Sequence, residues 1–337
     1  MSRNQIKLQG SANSLLNWFL HSRSNCINEE PFFVKGMISN SILSSYECLD
    51  PDSFNTHHFS VSISEIDHKK YKDPFLLPVL DISDFIQEKS HSYIKHFILH
   101  GSLATLDYIP GWSDFDSIAV IRSEILESPS DMMRLRSICT TIESMIKKID
   151  NHQHHGIHFI TEKDLLMYPD TYLPTQLFKE SVSLFDNIEL SGEKRDSKQE
   201  QIDRLNSIYQ TLKGAYGSGT LRHHAYKGAY MMDNFRNYKN SMYQMKYFMS
   251  VISLLPSYFM NIKGEYLTKP ESIEACRNTV SKKNFEIIDV SSKLRERWNV
   301  NPVVSNEIPP AAMEIIGENY FFRGYNLIKE MKSILGI

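Results

Sequence analysis

At 337 residues, with 41% hydrophobic and 23% charged residues, the chain is long enough for two domains and has a globular composition, which excludes a disordered or fibrous protein. Its net charge of −3 excludes a uniformly basic chain, so any nucleic-acid partner would need a local positive patch. The four cysteines are widely separated, and their spacing fits neither a zinc motif nor a disulfide framework. The first residues lack a signal-peptide pattern, and the longest uncharged run, residues 247–262, is too short to span a membrane. We therefore expect a cytoplasmic protein with no membrane partner.

The first part of the chain gives mixed secondary-structure signals. Residues 14–20 are patterned as a helix, residues 58–63 alternate as a strand, and residues 84–86 belong to a further helix. The boundaries of these elements are weakly marked. We expect residues 1–75 to form an N-terminal segment that packs on the core.

The middle of the chain gives clearer patterns. Residues 96–100 form a short apolar strand that ends at Gly101 and Ser102, and residues 116–121 form a second strand. Apolar residues three or four apart predict an amphipathic helix from Pro129 to about Asp150. Residues 156–161 read as a third strand. The predicted order is therefore strand, turn, strand, helix, strand.

The last part of the chain is predicted to be helical. The polar stretch 191–200 is the best candidate for a linker. Residues 201–262 have a mostly helical pattern, another helix starts near Lys269, and residues 311–335 close the chain as one helix. The predicted division is 1–75, 76–195 and 196–337. The expected fold class is α+β, a small mixed sheet with flanking helices followed by an all-helical C-terminal domain.

The residues with the clearest chemistry follow the first two strands of the middle part. Gly101-Ser102 is separated by eleven residues from Asp114-Phe115-Asp116, which opens the next strand. Side chains two apart in a strand share a face, so the two aspartates are expected to project together. Paired carboxylates suit Mg²⁺, which prefers oxygen ligands and is shared with substrate phosphates; Mn²⁺ is an alternative. Gly101 allows phosphate to approach the backbone, and the Ser102 hydroxyl can donate to it.

This segment resembles the signature of the polymerase-beta-like nucleotidyltransferase superfamily, in which an apolar strand, Gly-Ser, a spacer and Asp-x-Asp follow one another. It is most similar to the aminoglycoside-adenylyltransferase-like and minimal nucleotidyltransferase group, although the stretch from Pro110 to Ser113 is one residue longer. The resemblance implies the nucleotidyltransferase fold, with Asp114 and Asp116 as catalytic metal ligands. It also implies ATP as the nucleoside triphosphate, and Ser113 is expected to contact the nucleotide.

The third acid of the family pattern is missing from this sequence. Family members place a third carboxylate on the next strand, and His158 stands at the corresponding position. Three interpretations stay open: His158 is a general base on the acceptor, a metal ligand or nucleotide contact, or a degenerate position in a weakened enzyme. A neutral imidazole can accept a proton but is a poorer Mg²⁺ ligand than a carboxylate.

Lysines of the helical part are candidate phosphate contacts. Lys227 and Lys246 lie among apolar and aromatic residues, and Lys269 is the lysine of a stretch, residues 264–272, that resembles a nucleotide-contacting segment of adenylyltransferases. Residues 204–249 carry seven basic residues against one acid, with aromatic residues among them, which suits a triphosphate and its base or a strand of RNA.

The sequence thus predicts a metal-dependent nucleotidyltransferase. It would transfer a nucleoside monophosphate, by the resemblance AMP from ATP, to a hydroxyl or similar acceptor and release pyrophosphate. The acceptor is open among a small molecule, a protein and RNA. The alternative is a catalytically weakened nucleotide-binding module with a regulatory or antitoxin-like role.

Overall fold

A computed structural model describes residues 2–21, 27, 29–149, 156–170, 173–219, 221, 242–298, 308 and 310–337. These residues form two compact units. The first comprises residues 1–108 and 113–196, and the second comprises residues 109–112 and 197–337. The short insertion of residues 109–112 into the second unit has no sequence signal. The three-part division into 1–75, 76–195 and 196–337 stays a prediction.

The first unit contains two small mixed sheets and several helices. Its elements are α1 (Ser2–Leu20), α2 (Phe32–Glu47), β1 (Thr56–Ile63), α3 (Leu77–Lys89), β2 (Ile94–His100), α4 (Ser102–Thr105), β3 (Asp116–Ile121), α5 (Pro129–Ile146), β4 (His158–Thr161), α6 (Glu162–Leu165), β5 (Tyr168–Pro169), β6 (Val182–Ser183) and β7 (Ile188–Arg195). The predicted order of strand, turn, strand, helix and strand is observed in β2, α4, β3, α5 and β4.

The larger sheet has the strand order β4-β3-β2-β6. Strand β3 runs antiparallel to β2 and parallel to β4, with His100 opposite Asp116 and Ile118 opposite His158. Helices cover one face, where Phe97, Ala119 and Phe159 enter their core. The smaller sheet, β1-β7-β5, contributes to the core on the other face, which contains Ile118 and Ile160. Successive residues of these strands therefore enter different cores, as strand alternation requires.

Helix α1 closes the outer edge of β4. The Nδ2 atoms of Asn13 and Asn17 donate to the Phe159 carbonyl at 2.8 and 2.7 Å, and the Phe159 amide donates to Asn17 Oδ1 at 2.9 Å. Asn17 therefore satisfies the backbone of the edge strand much as a further strand would. The N-terminal helix is thus part of the sheet domain.

We expect Asn17→Ala to lower the free energy of unfolding by about 1–3 kcal/mol, because it leaves a buried backbone amide without its acceptor. The measurement is urea denaturation of the full chain. Asn4 is exposed on the same helix, so Asn4→Ala is the matched control and should change stability by less than about 0.5 kcal/mol. Equal effects of the two changes would contradict this account of the β4 edge.

The predicted linker over residues 191–200 is wrong except at residues 196 and 197, because β7 ends at Arg195 and a helix begins at Lys198. Residues 191–195 belong to β7, which pairs with β1 along its whole length from Ile188 to Arg195. Arg195 is buried, and its Nε donates to Gln9 Oε1 at 3.3 Å and to the Met167 carbonyl at 3.2 Å. The strand is polar because these partners, rather than apolar burial, satisfy its side chains.

The second unit is helical. Its helices are α7 (Lys198–Ser218), α8 (Met242–Lys263), α9 (Lys269–Arg277), α10 (Lys282–Glu296), α11 (Pro310–Ile316) and α12 (Tyr320–Leu335). None of the described residues after 196 lies in a strand. The single closing helix predicted over residues 311–335 is wrong, because Gly317 takes a φ of +81° and separates α11 from α12. No helix among the described parts of the chain is both long and apolar enough to cross a membrane.

Candidate active site

The turn after β2 is built on a glycine that no other residue can replace without strain. Gly101 has φ +70° and ψ −159°, a conformation that is almost restricted to glycine. A Cβ added there would lie 2.7 Å from Oδ2 of Asp116 and 3.5 Å from its Cγ. The carboxylate of Asp116 therefore lies directly against the backbone of the Gly-Ser turn.

The two aspartates flank a residue of the helix-side core. Phe115 is fully buried there, and Asp116 is the first residue of β3. Asp116 shares its strand face with Ile118 and Val120, which belong to the core on the opposite side of the sheet. Asp114 is buried and precedes the strand. The two acids were expected to share a face because both would lie in the strand. Only Asp116 lies in β3, so the alternation of the strand fixes the direction of Asp116 alone.

A pair of serines ties the turn to the acidic segment. Ser102 Oγ donates to Ser113 Oγ at 2.9 Å, and Ser113 is buried immediately before Asp114. The Gly-Ser turn therefore meets the acidic segment twice, through this bond and through the Gly101–Asp116 contact. Gly101, Ser102, Ser113 and Asp116 form one compact group, which we call the Gly-Ser/Asp group.

The spacer is braced by residues that precede β2. The buried Tyr71 hydroxyl donates to the Leu103 carbonyl at 2.8 Å, and burial raises its pKa to about 12. The rings of Phe75 and Tyr108 stack at 5.2 Å. Tyr108 also hydrogen-bonds to Asp73, which lowers the pKa of that carboxyl. No sequence signal identifies these residues, because they are distant from the motif in the chain.

His158 begins β4, one strand away from Asp116. It pairs with Ile118 and shares a sheet face with Ile160, so strand alternation directs His158 and Asp116 to the same side. Burial, with smaller effects from His21 and His100, lowers the pKa of His158 to about 4. The imidazole is therefore neutral near pH 7, where it can accept a proton and carries no charge.

His100 is a residue of this region that the sequence analysis did not single out. It ends β2, lies opposite Asp116 in the antiparallel ladder and immediately precedes Gly101. Its charge is one of the smaller causes that lower the pKa of His158. Strand alternation could have identified it, because His100 lies two residues after the buried Ile98 and so shares its sheet face.

Two of the candidate lysines are described, and both belong to the second unit. Lys246 is buried on α8, with Nζ 5.9 Å from the centre of the Trp112 ring. Trp112 meets Trp298 edge-on at 5.0 Å, and Trp298 Nε1 donates to the Gly111 carbonyl at 3.0 Å. Lys269 opens α9 after a capping box formed by Thr268 and Glu271. Lys227 lies outside the described residues, as does most of the basic stretch after 221.

The chemistry available to the Gly-Ser/Asp group is that of oxygen donors. The carboxylates of Asp114 and Asp116 are hard ligands, and any side chain at Gly101 would collide with the Asp116 carboxylate. Within the described ranges, no three His, Cys, Asp or Glu residues are arranged to hold a metal ion. A hard cation held here would therefore take its remaining ligands from water or from substrate oxygens.

Two partly buried histidines of the sheet should make the first unit sensitive to acid. Burial and the neighbouring Lys95 lower the pKa of His96 to about 4, from 6.5. Between these values the unfolded chain binds more protons than the folded chain, so stability is lost as pH falls from 6.5 to 4. His158 acts in the same direction.

We expect His96→Leu to flatten this pH dependence. The difference in unfolding free energy between pH 6.5 and 4 should shrink by on the order of 2 kcal/mol, since one group no longer charges on unfolding. Urea denaturation at several pH values measures it. Above pH 7 the difference in unfolding free energy between the variant and the parent should be constant. If the unfolding free energy of the variant depends on pH below 6.5 as steeply as that of the parent, the lowered pKa of His96 is contradicted.

The fold and site define an α+β protein with small mixed sheets, a helical C-terminal region and an acidic pair beside a Gly-Ser turn. Comparisons of the chain with protein-family models, with curated proteins and with solved structures gave no significant match.

Proposed function

We propose that the chain is a nucleotidyltransferase with the nucleotidyltransferase fold. The observation that carries the proposal is the contact between the Asp116 carboxylate and the backbone of Gly101. It supports a site in which a carboxylate-bound cation and a phosphate-accepting turn act on the same group of atoms. The observed strand, turn, strand, helix and strand order supports the resemblance on which the proposal also rests.

Asp114 and Asp116 would hold Mg²⁺, or Mn²⁺ in its place. When bound, the ion neutralises charge on the triphosphate and on the leaving pyrophosphate. The donor set fits such an ion, since both residues offer carboxylate oxygens, which are the ligands that Mg²⁺ prefers. Gly101 would admit phosphate oxygens to the backbone, and the Ser113 hydroxyl would donate to them. The Ser102 hydroxyl would do so in place of its bond to Ser113.

The proposed reaction is displacement at the α-phosphorus of a nucleoside triphosphate, with ATP as the expected donor. The acceptor oxygen forms a bond to the α-phosphorus, and the bond from that phosphorus to the oxygen bridging to the β-phosphate breaks. Pyrophosphate leaves with the electron pair of that bond, and the acceptor hydroxyl loses its proton. His158 is the proposed proton acceptor, since its imidazole is neutral near pH 7, and its lowered pKa makes it a weaker base than an ordinary histidine.

One observation favours a second candidate, a nucleotide-binding module with little or no turnover. The neutral His158 stands where the family pattern has a third carboxylate, so the site lacks one negative charge. A nucleotide could then bind through Asp114 and Asp116 without efficient transfer. The regulatory or antitoxin-like alternative depends on this replacement of a carboxylate by histidine.

The test is incubation of the full chain with Mg²⁺ and each of the four ribonucleoside triphosphates, labelled at the α-phosphate. Pyrophosphate release and retained label, both abolished by a chelator, are expected of the enzyme. Chelator-sensitive binding without pyrophosphate supports the module instead. The absence of both binding and release with all four triphosphates would overturn the two candidates together. Small-molecule, protein and RNA fractions can then be supplied separately as acceptors.

A further inference from the structure

A row of four aromatic rings lies along the seam between α7 and α12 in the second unit. Tyr209 and Tyr325 have ring centres 5.4 Å apart and hydroxyl oxygens 3.1 Å apart. Tyr325 is nearly parallel to Tyr216 at 6.0 Å, and Tyr216 meets Phe322 at 4.9 Å. We call these four residues the aromatic row.

One end of the aromatic row faces solvent. Tyr216 is 53% exposed and Phe322 is 38% exposed, whereas the core aromatics Phe248 and Phe259 of the same unit are fully buried. Packing of α7 on α12 therefore does not account for the two outer rings. Large exposed aromatic residues of this kind are typical of binding surfaces.

Lysines lie beside the aromatic row on both helices. Residues 205–219 contain one charged residue, Lys213, which is exposed. On α12 the sole acid, Glu330, accepts hydrogen bonds from Ser281 and Asn284. Lys332 lies 5.2 Å from the centre of the Tyr209 ring. The exposed Lys329 borders an open cavity of about 300 Å³, whose lining is completed by Asn284, Asn326, Glu330 and Ser333.

We propose that the aromatic row binds single-stranded nucleic acid. Bases would stack on Tyr216 and Phe322, and Lys213 and Lys329 would contact the backbone phosphates. Stacking aromatics flanked by lysines are the elements with which proteins hold single strands without reading their sequence. The net charge of −3 makes such a local patch necessary. The inference goes beyond the proposed transfer reaction, since it uses neither aspartate of the acidic pair.

The experiment measures fluorescence anisotropy of labelled 20-nucleotide RNA and DNA single strands, and of the matching duplex, with the full chain. We expect both single strands to bind more tightly than the duplex, and the affinity to fall as salt rises from 50 to 200 mM. The combined change Tyr216→Ala and Phe322→Ala should weaken binding by about tenfold or more. Tyr266, 43% exposed in the same unit but outside the row, provides the matched control Tyr266→Ala, which should bind as the parent does.

A second variant keeps the test decisive if the aromatic changes disturb folding. Lys213→Gln with Lys329→Gln alters exposed side chains only and should reduce the slope of affinity against salt. The proposal is overturned by failure to bind either single strand at 50 mM salt, by equal affinity for the duplex, or by an unchanged salt slope. Self-association of the chain that depends on Tyr216, without strand binding, would also overturn it. The assay needs no turnover, so its failure does not decide the transfer reaction.

Discussion

Replacement of Asp116 by Asn is expected to lower pyrophosphate release by at least about 100-fold while the fold is kept. The change keeps the size of the side chain that lies against Gly101 but removes its charge. Steady-state pyrophosphate release with Mg²⁺ and ATP measures the effect, and circular dichroism with thermal unfolding reports on the fold. Asp114→Asn should have an effect of the same order, because the two carboxylates share the proposed cation.

The matched control is Asp107→Asn. Asp107 is an exposed acid of the same spacer, and it accepts a hydrogen bond from Thr105 Oγ1. It is absent from the Gly-Ser/Asp group, so pyrophosphate release should stay within about twofold of the parent. Full activity of Asp116→Asn would contradict the proposed function. Equal losses in Asp107→Asn and Asp116→Asn would instead indicate a general effect of charge on the loop.

Gly101→Ala is expected to destabilise the first unit by about 2–4 kcal/mol and to abolish pyrophosphate release. Two separate causes contribute. An alanine at φ +70° and ψ −159° is strained, and its Cβ would lie 2.7 Å from Asp116 Oδ2. The Asp116 carboxylate would have to move away from the turn. Urea denaturation and the pyrophosphate assay measure the two consequences.

A double-mutant cycle separates the clash from the backbone strain. In the Asp116→Ala background the carboxylate is gone, so Gly101→Ala should cost less there than in the parent, by about 1–2 kcal/mol. Additive effects would show that the two residues do not touch. Gly10 in α1 has no neighbour within 4 Å of an added Cβ, so Gly10→Ala should be neutral or slightly stabilising.

The part of the fold that carries the motif could be predicted from local patterns. The amphipathic helix α5 begins as expected, at Pro129, and the side chain of the N-cap residue Ser128 accepts a hydrogen bond from the Asp131 amide. The strands β2 and β3 begin and end within two residues of the predicted positions. These elements are recognisable because their periodicity and their capping or turn residues agree with one another.

The parts that were missed depend on contacts between distant residues. The polar strand β7 is held by its ladder with β1 and by the partners of Arg195, none of which its own sequence reveals. The insertion of residues 109–112 into the second unit likewise rests on the bond from Trp298 to Gly111. Local periodicity carries no information about such partners.

The part of the candidate site formed by the Gly-Ser turn and the acidic segment could be predicted from the sequence. The spacing of Gly101-Ser102 and Asp114-Phe115-Asp116 predicted that they approach one another, and the Gly101–Asp116 and Ser102–Ser113 contacts are observed. The roles of Lys246 and Lys269 stay predictions, since residue type alone does not tell a phosphate contact from a lysine held by neighbouring rings. His100 was missed because it precedes the motif.

The hydrogen bonds from Asn13 and Asn17 to the edge of β4 have a consequence for the synthesis and the purification of the protein. A fragment that starts after residue 21 would expose the backbone amide and carbonyl of Phe159, which could then accept a strand from another copy of the chain. The ribosome synthesises α1 on the order of a hundred residues before β4, so the protecting helix is available when the vulnerable strand emerges. Shortened forms of the first unit should therefore keep α1 if they are to stay monodisperse.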